Sequence, residues 1–499
     1  MSNITIHDAL KNSLEKWGNR NFIYTRIGNE FVPKTFETTV HDVWALAEGL
    51  LKLGLAGKHI LIYGENSYEW VLSDLAVMGY VGVTVAANKE WKAHEVENTI
   101  RIADVECVIY SNTKQDIIEN IKPKFDITYL SIQDDLPSLL KQGHKSLNQK
   151  EQKEAFKIKS TDELCKIIFT SGTTAVSKAV MLPGRSLFFG FESLHRRAKI
   201  VPEDKVYLFL PLSHTFGGIY NLLACLYFGM EIYLCSDINK MFEELQMVKP
   251  SIFCAVPLIY ERVYTMLGEE LVKEAQVNQN EIAVNQVKGL FGGAVRYLFC
   301  GGARHNPEIR RFYKDIGLCM LEAYALTETA SSLSIEYPES KSVTSVGTVF
   351  ENVEVKILDP DENGQGEILV RGDNVALGYY KNEKETKKAF GKDGYFRTGD
   401  IGYMDENNQL FLIGRKKRVV VFSNGENIYP DEIEELLMKN EGVRKAKIFE
   451  KNNKLAAELY VKAGTDAAEI IENVNKLLPS YKQIKAFDVI LDSLDTRMK

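Results

Sequence analysis

Residues Ile167 to Lys178 read Ile-Ile-Phe-Thr-Ser-Gly-Thr-Thr-Ala-Val-Ser-Lys, an apolar run that enters a hydroxyl-rich loop and ends on a lysine. The hydroxyls of Thr170, Ser171, Thr173 and Thr174 and the backbone N–H groups around Gly172 offer donors at close spacing, and Lys178 adds a point charge. That combination suits a polyphosphate. The loop lacks the Gly-Lys-Ser/Thr ending of a P-loop, so a cradle at a helix N-terminus is not indicated. Four further constellations could do chemistry. Tyr324-Ala325-Leu326-Thr327-Glu328 sets a ring, a hydroxyl and a carboxylate within five residues, although a Thr-Glu pair alone also reads as a helix cap. Gly301-Gly302-Ala303 follows the apolar run Tyr297–Cys300 and allows a backbone to approach a ligand closely, as any two-glycine turn does. Asp400 closes a Thr-Gly-Asp sequence read as a tight turn, where a carboxylate can accept two hydrogen bonds or serve as an Asx-turn residue. His214, between Ser213 and Thr215, is either a structural histidine or a neutral imidazole that orients a substrate.

Positioning these groups takes more than one core, since 499 residues exceed what a single core organises. From Lys58 an apolar run His59–Tyr63, a helical period through Trp70 to Met78 and a run Val81–Val85 alternate, which predicts a mostly parallel sheet covered on both faces. A second such rhythm places strands near Val206–Leu210, Glu231–Leu234, Ser251–Cys254 and Arg296–Cys300. Residues 343 to 413 change to short β runs split by turn signals, a β-barrel-like subdomain. The expected class is therefore α/β. The expected division is a large N-terminal domain over 1–415, made of two α/β layered subdomains plus the barrel-like one, a hinge at 416–419, and a small, mobile C-terminal α/β domain over 420–499.

A net charge of −7 argues against nucleic-acid binding, which needs a basic surface, and favours small-molecule partners. The seven cysteines are scattered singly, which suits reduced thiols of a cytoplasmic protein better than a disulfide frame or a zinc site. No secretory signal and no transmembrane segment are expected; Ile219–Cys235 reads instead as helix, turn at Gly229 and strand. Arg185 to Lys199 mixes Phe188, Phe189 and Phe191 with Arg196, Arg197 and Lys199, and reads either as a peripheral membrane contact or as a core helix with a solvated cationic end.

Taken with Tyr395-Phe396-Arg397-Thr398-Gly399-Asp400 and Gly414-Arg415-Lys416-Lys417, these motifs in this order resemble the adenylate-forming (AMP-binding) enzymes over almost the whole chain. Gly64-Glu65-Asn66, Pro211–Phe216, Leu377-Gly378-Tyr379-Tyr380 and Ser423–Pro430 resemble most the bacterial long-chain fatty-acid–CoA ligases. The resemblance implies ATP, Mg2+ and coenzyme A as cofactors and a carboxylic acid of medium or long chain as substrate. The acid is activated as an acyl-adenylate and then passed to the thiol. It further implies that Thr170, Ser171, Gly172, Thr173, Thr174 and Lys178 surround the β- and γ-phosphates, and that Gly301, Gly302, Ala303 and Tyr324 take the adenine. Asp400 and Arg415 take the ribose, Thr327 donates to the α-phosphate, Glu328 holds Mg2+, and Gly425 borders the pantetheine. His214 borders the carboxylate and thiol tunnel, and Lys499 in the tail supplies charge at the α-phosphate. Phe216, Gly217, Tyr220, Val256 and Ala325 would line the acyl pocket, or serve as plain core. Ala175, Ser177, Ala179, Ala325, Arg418 and Met498 stand where the family more often carries other residues. Two alternatives remain beside this reading: a synthetase that loads an acyl carrier protein, and a non-catalytic acyl-nucleotide binding protein.

Overall fold

The alternation that begins at Lys58 folds into a six-stranded sheet ordered Thr128–Ser131, Val105–Tyr110, His59–Tyr63, Val83–Ala86, Leu164–Thr170, Lys178–Pro183. Every pairing is parallel except the last, which is antiparallel. Its central strands are largely apolar because both faces are covered: all four residues of Val83–Ala86 are buried. This description comes from a computed structural model covering residues 4–148, 156–170, 178–418, 420–421, 427–428, 430–451, 454–478 and 482–491.

The second rhythm forms a further sheet in which Glu231–Leu234, Lys205–Leu208, Ile252–Ala255, Tyr297–Gly301 and Met320–Tyr324 run parallel side by side. Asn21–Ile27 joins Glu231–Leu234, and Ser334–Ile335 continues antiparallel beyond Met320–Tyr324. Tyr207, Phe253, Tyr260, Phe291, Phe312 and Tyr313 build a core on this sheet with helices such as Pro257–Gln276. Both layers carry their strand C-termini toward loops that hold candidate site residues, the usual place for a ligand in an open α/β sheet.

Two helical stretches take π-helical geometry, Val77–Val81 and Phe216–Leu223, which hydrophobic spacing does not reveal. Such turns are rare and often mark functional sites. In the second, Gly217 and Gly218 are demanded by close approach: a Cβ on either would meet the Pro211 or Leu212 carbonyl oxygen at 2.3 and 2.2 Å.

Contacts divide the chain into two units, residues Met1–Glu354 with Arg371–Phe396, and Val355–Val370 with the chain from Arg397 onward. In the second unit the short β runs are strands, with Gly366–Arg371 beside Phe396–Met404 and then Gln409–Arg415. Val443–Lys451, Lys454–Val461 and Ala486–Leu491 form a separate three-stranded sheet. Helices Pro430–Met438 and Ala467–Leu477 pack on it around Ile433, Leu437, Ile448, Leu459 and Ile471. The α/β class is borne out.

Two expectations need correction. Asp400 is not in a tight turn. It lies inside strand Phe396–Met404, where Gly399 at φ 72° and a register shift after Ile401 bend the strand locally. The segment Arg185–Lys199 is two short helices, Gly184–Leu187 and Phe191–Ala198, broken at Gly190. Phe188 and Phe191 are core residues, and so is one cation: Arg197 is 4% exposed and donates to the Ile335, Thr348 and Val349 carbonyls at 3.0, 2.8 and 2.9 Å. These three carbonyls take the terminal nitrogens of the buried guanidinium, while its Nε is left without a hydrogen-bond partner among the described residues. Among the described residues no helix is long and apolar enough to cross a membrane.

Candidate functional site

Strand Leu164–Thr170 ends where the hydroxyl-rich sequence begins and pairs antiparallel with Lys178–Pro183, with Thr170 and Lys178 as register partners. Ser171, Gly172, Thr173 and Thr174 lie outside the described residues, as do Gly425 and Lys499. Residues 377–380 add along Lys178–Pro183 through Leu377 N to Met181 O, Met181 N to Gly378 O and Tyr380 N to Ala179 O, at 2.9, 3.0 and 2.8 Å. This pairing sets the Tyr379 ring under Lys178, whose Nζ stands 4.5 Å from the ring centroid and 2.7 Å from Glu385 Oε2. Glu385 is in the first turn of Glu383–Ala389, where the Asn382 side chain caps its N–H at 3.1 Å. A carboxylate is favoured there by the helix dipole. A phosphate reaching Lys178 therefore meets an ammonium already balanced by one carboxylate.

The Tyr379 phenol donates to Glu328 Oε1 at 2.8 Å, and Ala376 N donates to the Glu328 carbonyl at 2.9 Å. Burial, joined by the Glu328 charge, pushes the Tyr379 pKa up, so the phenol stays protonated and donating. The two sequence motifs expected to face phosphate, Lys178 and Thr327–Glu328, are thus joined through one tyrosine within one unit. The Thr327–Thr329 turn is itself constrained: Leu326 N donates to Thr329 Oγ1 at 3.0 Å, and Ala330 and Ser331 both adopt φ near +50°. Two successive non-glycine residues there cost on the order of 1 kcal/mol each. Ser331 Oγ donating to Thr215 Oγ1 at 2.6 Å and Asn374 Nδ2 donating to the Ser332 carbonyl at 2.5 Å hold the turn in place.

Thr215 follows His214, so the first of these bonds ties the His214 loop to the Thr327–Glu328 turn. The His214 N–H bonds the Pro211 carbonyl, and its own carbonyl accepts from Gly218, fixing the loop onto the π-helix. His214 is an exposed residue, yet the surrounding protein desolvates its ring and lowers its pKa below 6.5. Neutral imidazole is the resting form.

Gly301 is the register partner of Ala323, which places the Gly301–Ala303 turn beside the end of Met320–Tyr324. Gly302 has φ 84°, a conformation that favours glycine. Tyr324 is 7% exposed. In the second unit Asp400 and Arg415 are register partners with Arg415 Nε 2.7 Å from Asp400 Oδ1; Asp400 is buried and Arg415 is exposed. Arg418, expected in the hinge, pairs with Asp431 and, at 2.5 Å, with Glu434 of helix Pro430–Met438. Of the expected acyl-pocket residues, Gly217 and Tyr220 are buried while Phe216, Val256 and Ala325 are partly open. Tyr220 lines a small apolar cavity with Leu194, Ala224, Met230 and Phe299, and its buried hydroxyl has no hydrogen-bond partner.

Sequence reading gave no role to Tyr379 or Glu385, or to the pair Lys166–Asp74. Tyr379 stands in Leu377–Tyr380, which carried part of the resemblance, and the other three show no local signal. Lys166 Nζ lies 2.6 Å from Asp74 Oδ2, with both side chains at most 1% exposed, and 5.3 Å over the Trp70 ring. Four residues upstream of Thr170, this pair anchors the strand that feeds the loop.

Residues 10–380 match the family model described as AMP-binding enzyme. The chain is 27% identical over 443 residues to fatty acyl-CoA synthetase A of Dictyostelium discoideum, covering 79% of this chain and 66% of that protein. It is 30% identical over 375 residues to long-chain-fatty-acid–CoA ligase 1 of Saccharomyces cerevisiae, covering 68% of this chain and 52% of that one. In solved structures the fold recurs in ATP-bound MatB from Rhodopseudomonas palustris, with TM-score 0.82, 24% identity, and 98% and 95% of the two chains covered. It recurs also in the O-succinylbenzoate coenzyme A synthetase MenE of Bacillus subtilis with AMP, with TM-score 0.78, 22% identity, and 97% and 94% covered.

Proposed function

The chain belongs to the AMP-binding enzyme family, and from that membership we propose that it is an ATP-dependent acyl-CoA synthetase acting on a carboxylic acid of medium or long chain. The observation that carries the reading is the contact series Lys178–Tyr379–Glu328, a cation and a carboxylate held by one phenol beside the strand ends. Its chemistry fits a triphosphate with a hard cation, because the ammonium takes phosphate oxygen while Glu328 offers the oxygen ligand that Mg2+ prefers. Mg2+ bound there would neutralise phosphate charge.

In the first half-reaction the substrate carboxylate attacks the α-phosphorus and pyrophosphate leaves. Lys178 and the hydroxyls of Thr170, Ser171, Thr173 and Thr174, with the Gly172 backbone, hold the departing phosphates, and Thr327 donates to the α-phosphate. Gly301, Gly302, Ala303 and Tyr324 receive the adenine, Asp400 and Arg415 the ribose, and Lys499 stabilises charge growing at phosphorus. In the second, the thiol of coenzyme A attacks the acyl carbon and AMP leaves; Gly425 leaves room for the pantetheine, and neutral His214 orients the reacting groups. The small domain beyond 416–419 re-orients between the two steps, and the enzyme works in the cytoplasm.

The relatives named above as fatty acyl-CoA synthetases support the acid and the acceptor. The test is a screen of carboxylic acids for pyrophosphate release: AMP and pyrophosphate should appear only with acid and Mg2+ together, and ADP as product would overturn the reading. Replacing coenzyme A by an acyl carrier protein in the same assay separates the two acceptors. Tight ATP binding without pyrophosphate exchange would favour a non-catalytic binding protein.

A further inference from the structure

Cys300 and Glu322 are register partners on adjacent parallel strands, so their side chains leave the same face of the sheet at neighbouring positions. The chain then turns through 301–304 and returns His305 to that face, with Nδ1 3.2 Å from Glu322 Oε2. A sulfur, an imidazole nitrogen and a carboxylate oxygen from these three residues all lie within 4.8 Å of one another, and all three residues are buried. His305 is 6% exposed, and its Nε2 is buried without a hydrogen-bond partner. A ring nitrogen shut away from water with its hydrogen-bonding capacity unused is costly unless something binds it.

We propose that Cys300, His305 and Glu322 form a binding site for a thiophilic divalent cation of the zinc class. The donor set is that of a borderline-soft metal: one thiolate, one imidazole and one carboxylate, with a fourth position left for water. Charge closes on binding. The Cys300 thiol gives up its proton to solvent as sulfur bonds the metal, and thiolate plus carboxylate then balance two positive charges. Arg310 is the cation that faces the site from helix Pro307–Asp315, with Nε 4.0 Å from Glu322 Oε2, and it is engaged by Glu336 at 2.5 Å. Lys314 pairs with the same Glu336 at 3.0 Å. Sequence spacing reads these cysteines as plain thiols because the ligands come from a strand pair and a turn rather than from a Cys-x-x-Cys unit. Since the three residues bracket Gly301–Ala303, a bound cation would clamp the turn assigned above to adenine, but the cation site stands on its own geometry whatever the nucleotide reading.

The experiment adds Co(II) alone to the full chain and then removes free metal by gel filtration. One cobalt per chain, with a sulfur-to-cobalt charge-transfer band in the near ultraviolet, is the expected result; loss of the metal or absence of that band overturns the proposal. Cys300→Ser should abolish the band. His305→Gln, which keeps the volume and an amide for Glu322, should keep the fold by circular dichroism while weakening cobalt retention by at least about ten-fold. An unchanged band and affinity in both variants would place the metal elsewhere and equally overturn the assignment.

Discussion

Tyr379 donates its phenolic hydrogen to Glu328 at 2.8 Å across 51 residues of sequence, and the same ring lies under Lys178. The hydroxyl sets the carboxylate; the ring face sets the ammonium. Removing only the hydroxyl separates the two effects. Tyr379→Phe should keep Lys178 over the ring yet leave Glu328 free to rotate, lowering kcat for pyrophosphate release about ten-fold or more, since a hydrogen bond to a charged group is worth roughly 1.5–3 kcal/mol. Added Mg2+ should restore part of the loss. A variant with unchanged kcat and unchanged Mg2+ dependence would show that the contact only packs the sheet edge.

The buried pair Lys166–Asp74 leads to a stability experiment. Breaking such a pair leaves a bare charge in the core, which costs about 3–5 kcal/mol, whereas replacing both partners by apolar residues is often neutral. Lys166→Met should therefore shift the urea midpoint sharply downward. The double variant Lys166→Met with Asp74→Leu should recover most of it. If the single and double variants are equally unstable, the loss comes from packing against Trp70 and the charge is incidental.

What the sequence made legible and what it hid follow from the range of the interactions. The strand Leu164–Thr170, the helix at Pro430 and the Gly229 turn are written in local periodicity and punctuation, and each is where that local signal puts it. Asp400 misled because Thr-Gly-Asp has turn composition, while its pairing with Gln409–Arg415 keeps it extended. Arg197 looked solvated because a cation at a helix end normally is, and only the chain near 335–349 supplies the carbonyls that bury it. Lys166 sits in an apolar strand with its partner 92 residues away, so nothing near it in sequence announces an ion pair.

His214 gives the pH dependence. Desolvation lowers its pKa below 6.5, so the folded protein resists a proton that the unfolded chain accepts near 6.5. The unfolded state then binds more protons, and stability falls as pH drops through that value, while the neutral imidazole persists across the neutral range. The acid limb of kcat/KM should lie below pH 6.5 for the wild type and disappear in His214→Gln, with the overall rate reduced. An acid limb that survives the substitution belongs to another group and would remove His214 from the reacting centre.

Asp400 and Arg415 offer a test of nucleotide recognition that leaves folding nearly untouched. The pair is close at 2.7 Å, but the Arg415 side chain is 56% exposed, so water screens it and its loss should cost less than about 1 kcal/mol of stability. A carboxylate accepting ribose hydroxyls is a different matter, because hydrogen bonds to a charge are worth roughly 1.5–3 kcal/mol each. Asp400→Asn should raise KM for ATP about ten-fold with a smaller change in kcat. The decisive comparison uses 2′-deoxy-ATP and 3′-deoxy-ATP: the wild type should lose affinity for at least one of them, and the variant should discriminate less. If Asp400→Asn still separates ATP from both analogues as strongly as the wild type does, the carboxylate does not touch the ribose and serves only to hold Arg415 in the strand pair.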